Sequence, residues 1–161
     1  MGLSLETRVA RMVKRGQYAQ AATMLTASIG SAGKGSVARQ NLLAVCKARM
    51  GRLSDAKLIL LQLELERPGN PRVLNNLGNV ALLEDDARTA VKLYKEAARL
   101  SPWAPEPKFN MFLAYRRLGE IENSLYSYHE FVLTKRISLL GKALAFAALM
   151  AAVTALLRAL L

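Results

Sequence analysis

Residues 71–104 read PRVLNNLGNVALLEDDARTAVKLYKEAARLSPWA, and this stretch decides the fold. Two segments with apolar residues at spacings of three and four meet at Glu84, Asp85 and Asp86, and prolines stand near both ends. That spacing is the period of a helix with one buried stripe. Pro71 suits a first helical turn, where the missing N–H has no partner to lose. Leu77, Gly78, Tyr94 and Ala97 stand where two packed helices need a large residue, a small one, an aromatic and another small one.

Outward from this stretch the same residue types return after 34 residues. Ala56 and Ala90 are one period apart, each five residues after a turn position (Gly51, Asp85, with Gly119 next in phase) and twelve before a proline (Pro68, Pro102). The unit before, 37–70, keeps Leu43, Ala44, Gly51, Ala56, Leu60 and Pro68. The unit after, from Pro105, keeps Tyr115, Gly119 and Tyr128. A weaker unit is read in the first 36 residues through Gly16, Tyr18, Ala21 and Leu25, with the period stretched by one. A helix-turn-helix unit of this kind cannot bury its apolar face alone and stacks on its neighbours. Little in residues 1–136 alternates with period two, so no sheet is expected.

With these spacings the chain resembles the tetratricopeptide repeat family. The resemblance implies an all-α helix-turn-helix solenoid of three to four repeats: a degenerate unit over 1–36, then 37–70, 71–104 and 105–136. Two departures matter. Lys47 stands where the family prefers an aromatic, and Phe112, Ser124 and Phe131 stand where it prefers smaller residues, so altered packing is expected in the last unit. The family specifies an architecture for holding peptides or subunits, not an activity. By its geometry the concave groove is lined by Ala10, Val13, Asn41, Val45, Ala48, Asn75, Asn79, Leu82, Phe109, Leu113 and Arg116. These are mostly apolar with a ladder of asparagines, which can donate to and accept from an extended peptide or take the face of a helix. One subclass grips chaperone C-termini with a clamp of lysines, arginine and asparagines. Asn79 fits that clamp, but Asn41, Val45, Glu106 and Asn110 do not, and Glu106 would repel a carboxylate.

After Lys135 and Arg136 the chain changes character. Residues 137–161 carry only two charges, Lys142 and Arg158. At 1.5 Å per residue, the 21 residues of 137–157 span about 31 Å, enough for a hydrocarbon core of about 30 Å if Lys142 runs its stem back to the headgroups. A capping helix would carry a polar outer face, whereas here Leu, Ala, Phe, Met and Val occupy every side of the wheel. The expectation is one C-terminal transmembrane helix over 137–161; a buried or oligomer-forming helix and an in-plane helix are the alternatives. Gly141, Ala145, Ala148 and Ala152 offer small-residue spacing for packing against another transmembrane helix. Because only Gly141 between Ile121 and Leu161 weakens a helix, the last repeat helix is expected to run on into the span.

Topology follows from charge. No apolar run precedes Arg8 and Arg11, so no secretory signal is read, and Glu6 breaks the myristoylation pattern. Lys135, Arg136 and Lys142 against Arg158 place the repeats on the cytoplasmic side of a single-pass, tail-anchored chain. The net charge of +11 is uneven: residues 1–70 carry eleven Lys or Arg against four Asp or Glu, and residues 71–136 ten against eight. The basic half suits anionic headgroups or an acidic protein surface. Nucleic acid is not expected, since the basic residues are not interleaved with stacking aromatics.

Catalysis is poorly supported. His129 and Cys46 are the only histidine and cysteine and fall in different repeats, so neither an internal disulfide nor a cysteine zinc site is available. Residues 30–36 faintly resemble a phosphate-binding loop, but Ser28 replaces the first glycine, Gly35 follows the lysine and no strand precedes it. No cofactor or metal is expected. Two non-catalytic readings follow: a structural or assembly subunit of a membrane protein complex, or a tail-anchored adaptor that recruits a soluble protein to the membrane.

Overall fold

The computed structural model describes the backbone of residues 4–31 and 36–160 and the side chains of residues 4–29 and 36–153. The glycine-rich stretch at 30–36 lies largely outside them. The described regular structure is α-helical throughout: α1 (Leu5–Lys14), α2 (Tyr18–Ser31), α3 (Val37–Arg49), α4 (Leu53–Glu66), α5 (Pro71–Leu83), α6 (Ala87–Leu100), α7 (Pro105–Leu118) and α8 (Ile121–Leu160). The helices stack in chain order, each against the next.

The turns inside the helix pairs share one geometry. Gly16, Gly51, Asp85 and Gly119 all have positive φ, between 68° and 77°. In each turn the N–H of the following residue reaches back to a carbonyl of the helix before it: Gln17 to Met12, Arg52 to Lys47, Asp86 to Ala81 and Glu120 to Tyr115, at 2.9 to 3.0 Å. This closes the last carbonyls of the helix and reverses the chain within two residues. Asp85 adopts this left-handed conformation although it carries a Cβ; aspartate tolerates it better than most residues. The opposite helix ends are capped. Ser4, Ser36, Asn70 and Asp86 each accept from a backbone N–H of the first turn, and Pro71 and Pro105 open α5 and α7.

Three apolar clusters run along the array, and each is shared between a helix pair and a neighbouring helix. Val9, Ala21, Leu25, Leu43 and Cys46 join α1, α2 and α3. Ala44, Ala56, Leu60, Leu63, Val73, Leu77 and Val80 join α3, α4 and α5. Ala81, Ala90, Val91, Tyr94, Ala114 and Tyr115 join α5, α6 and α7. Each fully buried Leu or Val contributes about 1.5–3 kcal/mol relative to exposure, so no helix pair supplies its own core. Ala21, Ala56 and Ala90, each five residues after its turn, are fully buried. Burial pushes the Cys46 thiol above its ordinary pKa, which keeps it a neutral core group.

The tightest approach lies between α5 and α6. A Cβ on Gly78 would come within 2.5 Å of Tyr94 Cε1, so only glycine lets the two helices meet around that ring. Between α7 and α8 the solution differs. Phe112 stands one period after Gly78, and Phe109, Phe112, Tyr128 and Phe131 form a chain of tilted rings with centroids 5.1 to 6.0 Å apart. The buried residues of α8 among those described are Ser124, Ser127 and Thr134. Ser124 Oγ donates to the Phe112 carbonyl across the helix pair, while Ser127 and Thr134 donate back to their own helix at Asn123 and Glu130. Beyond residue 136, α8 leaves the array as one continuous helix.

Candidate protein-binding groove and apolar tail

The first helices of the repeats present their inner faces side by side. Between α3, α5 and α7 they enclose an open hollow of about 330 Å³, walled by Val45, Ala48, Val80, Leu82 and Leu113, with Asn76, Asn79 and Asn110 on one side and Arg49 and Arg117 at the rim. Five of the groove positions read from the sequence, Val45, Ala48, Asn79, Leu82 and Leu113, line this hollow. The others lie elsewhere. Asn41 sits at its edge bonded to Asn76. Asn75 faces a second hollow beside Pro71 and Glu106. Phe109 joins the aromatic chain, and Arg116 lies over the Phe112 ring at 5.5 Å. Ala10 is on the exposed side of α1, and Val13 packs against the first core.

The asparagines pair chiefly with one another. Asn76 Nδ2 donates to Asn41 Oδ1 (3.0 Å), Asn79 Nδ2 to Asn76 Oδ1 (3.2 Å), and Asn110 Nδ2 to both Asn75 Oδ1 (2.9 Å) and Asn79 Oδ1 (3.0 Å). The Tyr94 hydroxyl donates to Asn79 Oδ1 (2.9 Å). Asn79 Oδ1 therefore has both lone pairs occupied, while Asn41 and Asn75 take part through their amide oxygens. A network satisfied in this way holds three successive first helices in register. Burial pushes the Tyr94 hydroxyl well above the ordinary tyrosine range, so it remains a donor. Asn76 and Asn110 were missed as groove residues in the sequence; they are 34 apart, each one residue after a groove position. Arg117 Nη1 donates to the Leu82 carbonyl at 2.7 Å and faces Asp85 at 3.5 Å, which ties the rim of the hollow to the turn after α5.

Chemistry is sparse. No group of three or more His, Cys, Asp or Glu able to hold a metal occurs among the described residues. Cys46 is buried, and His129 lies with Leu125 and Leu133 on the outer side of α8. The surface is stitched by ion pairs such as Lys57–Glu84 (2.6 Å) and Arg39–Glu6 (2.9 Å). Exposed pairs of this kind contribute about 0–1 kcal/mol each.

The second feature is α8. Its described part is long and apolar enough to cross a membrane, and its apolar stretch is fully exposed. Gly141, Ala145, Ala148 and Ala152 lie along it on open surface, with nothing within 4 Å of a Cβ built at Gly141. Along the first half of α8, Leu125, Tyr128, His129, Val132, Leu133 and Arg136 surround a shallow hollow.

The eight helices among the described residues, with one geometry at every inner turn, have the architecture of tetratricopeptide repeat proteins. Residues 12–77 match the family model described as Tetratricopeptide repeat. Among solved structures, MamA MSR-1 is similar over 79% of this chain and 72% of its own, at 20% identity and a TM-score of 0.62. MamA from Desulfovibrio magneticus RS-1 is similar over 82% and 74%, at 12% identity and 0.66. A chain of the APC/C hetero-tetramer Cut9–Hcn1 is similar over 78% of this chain and 25% of its own, at 22% identity and 0.69. No curated protein matches the chain by sequence. At these identities the likeness is one of fold.

Proposed function

We propose that this chain is a non-catalytic, membrane-anchored repeat scaffold, a structural or assembly subunit of a larger membrane protein complex. The tail of α8 crosses the bilayer over residues 137–161, with the repeats on the cytoplasmic side, and packs against transmembrane partners through Gly141, Ala145, Ala148 and Ala152. The observation that carries the reading is the continuity of α8. One helix packs on α7 at its start and then runs on as an exposed apolar rod, with no linker to let the solenoid swing free. An apolar surface of that size on a helix has to be covered, by lipid or by protein. The hollow between α3, α5 and α7 offers an apolar floor to a helix or extended segment of a partner. The uncovered face of α8 around Leu125 and Leu133 offers a second protein contact. Cut9–Hcn1 is a hetero-tetramer, an assembly in which a chain of similar fold is one part of a larger whole.

The second reading is a tail-anchored adaptor that recruits a soluble protein. It draws on the basic first half of the chain and on Arg49 and Arg117 at the rim of the hollow, which suit an acidic segment. Gentle detergent extraction followed by pull-down and mass spectrometry separates the two. Integral membrane subunits recovered in fixed ratio support the scaffold; soluble proteins alone, lost at high salt, support the adaptor. Leu149→Arg tests the anchor itself. A charge near the middle of a span costs about 2.5–3.5 kcal/mol on insertion scales, so the variant is expected to leave membranes on alkaline extraction, and unchanged retention contradicts the anchor.

A further inference from the structure

The register between α7 and α8 decides which part of the solenoid meets the start of the apolar tail. The two helices run antiparallel. The Phe112 ring lies 5.2 Å from that of Tyr128, the Phe109 ring 5.1 Å from that of Phe131, and Lys108 Nζ donates to Thr134 Oγ1 at 2.6 Å. From the first ring pair to the second, three steps toward the start of α7 match three toward the end of α8, at a rise of about 1.5 Å per residue, and the long Lys108 side chain, one step further along α7, reaches on to Thr134. Carried on from Phe109 and Phe131, this register sets Pro105 level with Lys135. The loop at 101–104, which precedes Pro105, lies near that level. Lys108 Nζ also donates to the Pro102 carbonyl at 2.8 Å, so one ammonium holds the loop to α8.

Trp103 follows Pro102 in this loop and is 70% exposed. Leu100, at the end of α6 beside it, is also exposed. An indole is largely apolar with one N–H donor, the amphipathic form that settles where headgroups meet acyl chains. Lys135 and Arg136 at the same level attract anionic headgroups.

We propose that Trp103 and the loop at 101–104 seat in the headgroup layer of the same bilayer that the tail crosses. This gives the solenoid a second hold, away from the axis of α8. A single helix leaves the repeats free to turn about that axis, whereas a contact offset from it fixes which edge of the solenoid faces the membrane. The inference rests on the reading of α8 as a membrane span.

The chain has one tryptophan, so its tryptophan emission, excited at the red edge where tyrosine does not absorb, reports Trp103 alone. The test uses the full chain reconstituted in vesicles of phosphatidylcholine and phosphatidylglycerol. The expected result is blue-shifted emission, a severalfold loss of acrylamide quenching relative to the urea-unfolded chain, and stronger quenching by lipids brominated near the headgroup than by lipids brominated near the bilayer centre. Alkaline extraction of the same vesicles separates the two ways of failing. Chain that resists alkali while its indole stays open to acrylamide and untouched by brominated lipid overturns the seat and leaves the anchor standing. Strongest quenching from the bilayer centre also overturns the seat. Release of the chain by alkali overturns the anchor, and the seat falls with it.

Discussion

Helices α6 and α8 occupy the same place in successive repeats, yet most of the positions that α6 buries are opened in α8. α6 buries Ala87, Ala90, Val91, Tyr94 and Ala97 between α5 and α7. α8 buries small hydroxyl residues and turns its large apolar ones outward. Val91 is 7% exposed, and Leu125, one period later, is 62% exposed; Tyr94 is fully buried, and Tyr128 is 45% exposed. The cause is the neighbour. α7 covers the outer face of α6, while among the described residues nothing covers that of α8. The same repeat pattern therefore yields a core helix in one place and an open, apolar edge in the other, and that edge continues into the tail.

The comparison is broken most directly through the two tyrosines. Tyr94→Ala removes a fully buried ring and its hydrogen bond to Asn79, and about 3–5 kcal/mol of stability is expected to go with it. Tyr128→Ala, at a half-exposed ring in the aromatic chain, is expected to cost about 1 kcal/mol. Denaturant unfolding of both variants is the measurement, and equal losses would abolish the distinction between the two helices. Gly78→Ala is next. Its Cβ would press on a ring that has nowhere to move, and about 1–3 kcal/mol is expected, read as a lower melting temperature. An unshifted melt would mean that α5 and α6 separate more easily than their packing implies.

Smaller effects sharpen the same contrast at the turns. Asp85→Gly relieves a left-handed backbone in the third turn, and a gain of about 0.5–1 kcal/mol is expected. Its exposed pair with Arg117 subtracts little. Gly119→Ala imposes that strain on the fourth turn with no clash, so a loss of about 1–2 kcal/mol is expected from backbone conformation alone. Thermal melts of the two variants should move in opposite directions. The smallest effect is a pH dependence at the start of α6. Asp86 accepts from Thr89 N–H at 3.0 Å, and hydrogen bonds to Thr89 hold its carboxyl below the ordinary 3.8. A folded pKa below the unfolded one stabilises the fold above 3.8 and loses that contribution as pH falls through the lowered folded value. Asp86→Ala should therefore flatten the melting temperature across the acid range; an unchanged acid profile would remove the cap from the account of α6.

Much of the array was legible residue by residue because its signals are local. A left-handed turn needs glycine or a tolerant aspartate, so Gly16, Gly51, Asp85 and Gly119 mark the turns. Close helix approach needs a small residue five positions later, so Ala21, Ala56 and Ala90 mark the contacts. The departures at Phe112, Ser124 and Phe131 were equally visible, and they fall where glycine-and-tyrosine packing gives way to the ring chain and the hydroxyl seam. The groove was legible only in outline. Recurring asparagines on the inner faces were apparent, but that Asn41 meets Asn76, and Asn110 meets both Asn75 and Asn79, depends on how far each repeat rotates on the next.

Helices, turns, the stacking period and a long apolar stretch toward the C-terminus follow from local spacing, because each rests on residues within one helical turn or one period of each other. Only the tertiary structure decided that the asparagines spend most of their hydrogen bonds on one another, that α8 faces outward along its large side chains, and that the loop carrying Trp103 lies level with the start of the tail. These follow from the pairing of helices in space. A side chain's partner across such a pair is set by rotation and register, which no local spacing records.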